Sequence, residues 1–147
     1  MTKRKLYLAC VTGQVGSERI IRAAGRIAMD GEPVVSVLSV IPQCPGKDEL
    51  EAVRFLSGVA QEEGIEMTFL SGENPALTVV EYIKRKKVTH VLTGMPGPGS
   101  AGFIELLSSV LPRVRIIMIP QEYRDPGEDE EIDYTDTGLF VRPAIRL

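Results

Sequence analysis

The chain has 147 residues and a mass of 16.1 kDa, which suits one domain with a hydrophobic core of its own. Its 44% hydrophobic and 25% charged residues are ordinary for a globular protein. No apolar run reaches the length of a membrane span, and the run near the N-terminus ends at Thr12, too early for a signal peptide. We therefore expect a cytoplasmic protein that does not enter a membrane.

The net charge of −3 is distributed unevenly along the chain. Residues 1–121 carry a net charge of +2, residues 122–136 carry −7, and residues 137–147 carry +2. The body of the chain has no basic face that would indicate nucleic acid as a partner. Its basic cluster at residues 84–87 closes a predicted helix, where cations suit the negative end of the helix dipole. We therefore interpret that cluster as structural.

Short apolar segments alternate with amphipathic helical patterns along the first 119 residues. Strands are predicted at residues 5–11, 34–41, 65–70, the apolar start of 88–110, and 114–119. Helices are predicted from Ser17 to Asp30, at residues 47–63, from Pro75 to the basic cluster, and in the second half of 88–110. This alternation predicts an α/β fold with a parallel, doubly wound sheet.

Several residue types mark the predicted helix ends. Ser17 is placed to cap the first helix, and Asn74 to cap the third, with Pro75 at its first position. Gly64 stands where the second helix ends, at a position that favours a left-handed backbone. Three arginines lie on the side of the first helix away from its apolar residues: Arg19, Arg22 and Arg26.

A glycine-rich loop joins the fourth strand to the fourth helix. Its glycines are Gly94, Gly97, Gly99 and Gly102. Such a loop can expose amide N–H groups beside a helix start, where an anion such as phosphate is favoured. The loop matches neither a Walker sequence nor the dinucleotide fingerprint. A phosphate loop and a tight turn that needs glycine only for its geometry both remain open.

The chain shows no set of residues typical of an enzyme active site. His90, the only histidine, lies in a predicted buried strand without metal-ligand neighbours, so we interpret it as a hydrogen-bonded structural residue. Cys10 and Cys44 lack metal-ligand spacing and are expected to be free thiols. Ser100 is best interpreted as a cap of the fourth helix. No nucleophile with a base, and no metal cluster, is indicated.

Three segments, in the same order along the chain, resemble the universal stress protein family. LACVTGQVGSERIIRAAGRIA resembles the family's first strand, its turn and the opening of its first helix. SGENPALTVVEYIKRKKVTHVLTG resembles a later helix and a strand that ends in glycine, and the stretch that follows resembles the nucleotide loop G-x-x-G-x9-G-S/T. The resemblance implies a domain over residues 1–120 and leaves residues 121–147 as an acidic C-terminal extension.

The resemblance implies a five-stranded parallel sheet of order 3-2-1-4-5, with helices on both faces, and a homodimer that pairs through the fifth strand. Strands one and four are then neighbours, so the loops at their carboxyl ends flank one crevice. In family members that bind ATP, the first loop holds the adenosine and the second holds the phosphates. The cofactor-binding residues carried over, for ATP with Mg, are Thr12, Gly13, Gln14, Gly94, Gly97, Gly99, Ser108 and Ser109.

The chain departs from the nucleotide-binding pattern of the family at several positions. Thr12 stands where nucleotide binders have aspartate, and the third glycine of the loop is replaced by Leu107 or Ser108, depending on the alignment. Pro96 and Pro98 remove two amide donors from the loop. Nucleotide binding therefore stays open at this point.

Two functions follow from the resemblance. The first is a homodimeric regulatory module of the stress response that binds an adenine nucleotide. The second is an interaction module that binds no nucleotide and serves a transporter or a sensor kinase. Slow ATP hydrolysis is the most catalysis expected, because no base or metal-binding carboxylate is indicated near the glycine loop.

The acidic extension shows neither a helical nor a strand period, so we expect a solvated segment. Its last ten residues, GLFVRPAIRL, are apolar again, although Pro143 argues against an inner strand. We expect this end to pack over the body or onto a partner chain.

Overall fold

The computed structural model describes residues 5–29, 33–94, 102–121, 123, 131–134 and 141–144. Its main sheet has five strands in the order β3-β2-β1-β4-β5, and every neighbouring pair is parallel. The strands are β1 (Leu6–Val11), β2 (Val34–Ile41), β3 (Glu66–Ser71), β4 (His90–Gly94) and β5 (Arg115–Ile119). The predicted fold class and strand order are confirmed.

Four helices cover the two faces of this sheet. They are α1 (Glu18–Ala28), α2 (Lys47–Glu62), α3 (Pro75–Lys86) and α4 (Gly102–Val110). Alternate residues of each strand enter opposite cores, because successive side chains of a strand point to opposite faces. Ala9 and Leu92 pack with α1 and α2, whereas Leu8 and Val91 pack with α3 and α4. None of the helices in the described residues is long and apolar enough to span a membrane.

Two of the predicted helix ends are confirmed, and one is wrong. Asn74 Oδ1 accepts a hydrogen bond from Leu77 N at 3.2 Å, and Gly64 has a left-handed φ of +70°. Ser17 does not cap α1 with its side chain, because a 3-10 turn (Val15–Ser17) precedes the helix and already gives Ser17 a helical backbone. The hydroxyl of Ser17 is thereby left for another contact.

The extension is not wholly without regular structure, contrary to the prediction. β6 (Glu131–Tyr134) and β7 (Val141–Ala144) form an antiparallel pair, and the backbone of β7 lies close to β5. Four residues are too few to show a strand period in sequence. Pro143 is tolerated because both strands of a two-stranded pair are edge strands.

The extension is also tied to the body at its start. Tyr123 is 6% exposed and belongs to the core cluster beneath α1 and α2. Its amide donates to the carbonyl of Pro120 at 3.1 Å. The side chain of a residue just beyond the predicted boundary at residue 120 is therefore part of the core of the main domain.

Candidate functional site

A crevice opens where the carboxyl ends of β1 and β4 lie side by side. These strands pair directly, from Tyr7 with His90 to Ala9 with Leu92, although they are far apart in sequence. Thr12 follows β1 and Gly94 ends β4, so both lie at the same edge of the sheet. The crevice has a volume of about 690 Å³, which is in the usual range for pockets that hold small molecules.

The crevice is largely apolar, with a few polar groups at its rim and floor. Its lining comes from three strands, from the starts of α1 and α3, and from the start of α4. The apolar lining residues include Val11, Ile20, Leu38, Val40, Ala76, Val79, Phe103 and Ile104. The polar lining residues are Cys10, Thr12, Gln14, Ser17, Arg19, Asn74, Thr93 and Gln121. Such a lining suits a ligand that has a flat apolar part and a polar end.

Two hydroxyls meet at the β1 side of the crevice. Thr12 Oγ1 and Ser17 Oγ lie 3.3 Å apart, and either atom can be the donor. Ser17 is buried, with 4% of its surface exposed. The 3-10 turn before α1 folds the chain back from Thr12 so that Ser17 returns to the strand end. The prediction of Ser17 as a helix cap did not include this contact with Thr12.

Arg19 lines the crevice and reaches across to the end of β5. Its Nε donates to Pro120 O at 2.8 Å, its Nη1 to Gly16 O at 2.5 Å, and its Nη2 to Ile119 O at 3.4 Å. The helical pattern puts Arg19 on a different side of α1 from Ile20, but it did not predict that the side chain reaches the end of β5. A helical projection gives the direction around the axis, but in the first turn of α1 a long side chain extends past the strand ends instead.

Gly94 packs closely against the start of α1. A Cβ at this position would lie 2.9 Å from Arg19 Nη2 and 3.5 Å from Ile20 Cδ1. The first contact would require the end of the flexible arginine side chain to shift slightly, and the second is an ordinary van der Waals distance. Packing therefore limits the space at Gly94 without requiring glycine there.

Comparisons with known proteins find a shared fold and no sequence relative. No family model and no curated protein matches the chain. A universal stress protein in complex with cAMP matches with a TM-score of 0.58 and 18% identity, over 80% of this chain and 98% of that one. The fold is that of the universal stress proteins.

Two further structures of that family agree with this assignment. One, from Burkholderia pseudomallei, has a TM-score of 0.58 at 15% identity and covers 80% of this chain and 96% of its own. The other, from Archaeoglobus fulgidus, has a TM-score of 0.52 at 16% identity and covers 69% of this chain and 86% of its own. Identities this low establish the universal stress protein fold and nothing finer.

The structure brings together only part of the site predicted from the universal stress protein pattern. Thr12, Gln14 and Gly94 line the crevice. Gly13 is not among the lining residues, and a Cβ there would lie 2.5 Å from Glu49 Cγ. Of the other predicted residues, two lie outside the described ones: Gly97 and Gly99. Ser100, predicted as a cap, also lies outside them.

The serines predicted from the end of the loop motif do not reach the crevice. Ser108 and Ser109 are exposed in the second half of α4 and are not among the lining residues. Leu107, where one alignment places the third glycine of the motif, is fully buried in the core beneath α3 and α4. A buried leucine contributes to packing and cannot offer an open backbone to a phosphate.

Cys10 gives the floor of the crevice a neutral thiol. Burial raises the pKa of Cys10 to about 12, so the thiolate is not formed near neutral pH. Both Cys10 and the exposed Cys44 are free. Among the described residues, no group of three side chains could hold a metal ion.

His90 lies at the amino end of β4, at the opposite end of the sheet from the crevice. Its ring stacks on Tyr7 with 4.2 Å between ring centroids, and its Nδ1 lies 2.8 Å from Thr89 Oγ1. His90 is hydrogen-bonded, as predicted. Burial, with the nearby charges of Lys5 and Arg115, lowers the pKa of His90 from 6.5 to about 4.

This pKa predicts a loss of stability in mild acid. Between pH 6.5 and about pH 4 the unfolded chain binds a proton that the folded chain does not, so the free energy of unfolding should fall as the pH falls. Because the ring is partly exposed, we expect a loss of about 1–2 kcal/mol. Denaturant titrations at pH 7 and pH 4.5 measure it. His90→Phe keeps an aromatic ring against Tyr7 but cannot bind the proton. Between pH 7 and pH 4.5 its free energy of unfolding should therefore fall less than that of the wild type. An equal loss in both proteins would contradict the prediction.

Proposed function

We propose that the chain is a regulatory module of the universal stress protein type that binds an adenine nucleotide, ATP being the ligand to test first. The observation that carries this proposal is the position of the crevice. It lies outside the carboxyl ends of β1 and β4, where the strand order reverses and where doubly wound sheets bind their ligands.

The lining of the crevice supports a nucleotide in particular. The apolar side chains of Val40, Val79 and Phe103 suit the flat faces of a base. The Arg19 guanidinium and the N-terminus of α3 both favour negative charge at the rim, as phosphate groups require. One protein of the same fold is known in complex with cAMP, which adds a precedent for a nucleotide.

The proposal concerns binding rather than turnover. Among the described residues, the lining includes no aspartate, glutamate or histidine that could act as a general base. Mg²⁺ would be held chiefly by the phosphates and by water, with hydroxyl or amide oxygens of the protein as the available additional ligands. A regulatory effect would then come from the different shapes of the free and the occupied crevice.

A thermal unfolding experiment tests this proposal. Nucleotide at a hundred times its dissociation constant should raise the free energy of unfolding by about 2.7 kcal/mol. For a chain of this size that corresponds to a rise in Tm of roughly 5–11 °C. The measurement compares millimolar ATP with Mg²⁺ against tripolyphosphate with Mg²⁺, which lacks the base. Equal midpoints in both would argue against a nucleotide site.

Two observations favour the alternative function, an interaction module that binds no nucleotide. Leu107 is fully buried where one alignment of the loop motif requires glycine, and Thr12 stands in place of the aspartate. The absence of a thermal shift would favour this alternative. In that case the acidic extension becomes the first candidate surface for a protein partner.

We further propose a homodimer that pairs through β5. This strand is at one end of the main sheet, so its outer edge carries main-chain groups that can pair with another strand. The backbone of β7 lies close to it, which makes the extension part of the same surface. Light scattering that gives the mass of a single chain would contradict this proposal.

A further inference from the structure

Thr93 lies at the floor of the crevice, and its hydroxyl has no partner in the part of the fold that the structure describes. Thr93 lies in β4 and is 9% exposed, and it lines the crevice. Its hydroxyl makes none of the side-chain hydrogen bonds found among the described residues. The hydroxyl oxygen is not one of the fully enclosed side-chain atoms that lack a partner, so it is open to the crevice. A ligand in the crevice can therefore reach it with a hydrogen bond.

The direction of Thr93 follows from the alternation of β4. Val91, two residues earlier, packs in the core beneath α3 and α4, so Thr93 points to the same face of the sheet. Leu38 and Val40 of β2 also line the crevice, and the start of α4 covers this face. Thr93 is thus a polar group within an otherwise apolar floor.

One of the two hydroxyls at the β1 side of the crevice can donate a hydrogen bond to a ligand. Thr12 and Ser17 are within hydrogen-bonding distance, and one of them donates to the other. The accepting hydroxyl keeps its own proton for a further partner, and both residues line the crevice. Together with Thr93 they offer donors and acceptors, whereas a carboxylate could only accept.

We infer that Thr93 contacts the base of the ligand and that the crevice takes guanine as well as adenine nucleotides. This inference rests on the proposed nucleotide site. The 6-amino group of adenine donates a hydrogen bond, and the 6-oxo group of guanine accepts one. A hydroxyl can satisfy either group, so nothing in the three hydroxyls selects against guanine.

Two threonine-to-valine variants test the role of Thr93. Thr93→Val removes the hydroxyl in the crevice, and Thr68→Val makes the same change on β3, outside the crevice. We expect Thr93→Val to weaken ATP binding about fivefold to tenfold and to change the Tm of the free protein little, because no hydrogen bond among the described residues is removed. Thr68→Val should leave the affinity unchanged. A structural role alone would not combine lost affinity with retained stability.

Isothermal titration of the wild type and both variants with ATP and with GTP separates the outcomes. ATP and GTP should bind the wild type within about threefold of each other. Equal affinity of wild type and Thr93→Val, or a preference of more than about thirtyfold for ATP, overturns this inference and leaves the nucleotide site standing. If the wild-type protein binds neither nucleotide at millimolar concentration, the proposed function is overturned. The inference about Thr93 then falls as well, because it rests on that function.

Discussion

Replacing Tyr123 by alanine should lower the free energy of unfolding by about 3–5 kcal/mol, the usual cost of truncating a buried aromatic residue. The tyrosine is 6% exposed and lies in the same core cluster as Ile20 and Ile119. Alanine at this position would leave a cavity over the end of β5, where the neighbouring side chains are fixed by the sheet. The expected loss is therefore large for a residue in a segment that sequence composition describes as solvated.

Urea unfolding of the full chain measures this effect, and Tyr123→Phe is the matched control because it keeps the ring. The phenylalanine variant should stay within about 1 kcal/mol of the wild type, since most of the buried area is the ring itself. A chain that ends at residue 120 should lose about as much stability as the alanine variant. An alanine variant as stable as the phenylalanine variant would show that Tyr123 is not part of the core.

Replacing Arg19 by methionine should cost about 2 kcal/mol, because three main-chain carbonyls lose a charged donor. These are the carbonyls of Gly16, Ile119 and Pro120, which belong to the turn before α1 and to the end of β5. Methionine keeps the apolar part of the side chain and removes the hydrogen bonds. The loss should appear as lower stability of the free protein, before any ligand is added.

Arg54→Met is the control for this change, because Arg54 is an exposed arginine in the middle of α2. Surface substitutions of that kind usually change stability by less than about 0.5 kcal/mol. Both variants are compared by urea unfolding at neutral pH. Equal stabilities would mean that the carbonyls find other donors, such as water, without cost.

The strands were the most predictable part of the fold. β2 has the predicted bounds, Val34–Ile41, because a run of apolar and β-branched residues between Gly31 and Pro42 can hardly form anything else. The start of α1 was less predictable, since the 3-10 turn depends on how the chain leaves β1. The pairing of β6 with β7 depends on contacts between residues distant in sequence, which a local pattern cannot contain.

The site was predictable in position but not in composition. The meeting of Thr12 and Gly94 follows from the strand order, and that order came from the family resemblance rather than from any property of the two residues. Arg19, Ser17 and Thr93 were missed because each has an ordinary local role: helix surface, helix cap and strand residue. Only the three-dimensional arrangement shows that these residues share one crevice.

The carbonyl of Pro120 accepts hydrogen bonds from both Arg19 Nε and the amide of Tyr123. Deuterium can replace the proton on that amide only when its bond opens, so its exchange rate reports on one small movement at the rim of the crevice. A movement of the Arg19 guanidinium would change the hydrogen bonding of the Pro120 carbonyl, and with it the strength of the bond from the Tyr123 amide. If a ligand in the crevice moves the Arg19 guanidinium, the exchange rate of the Tyr123 amide should change with it.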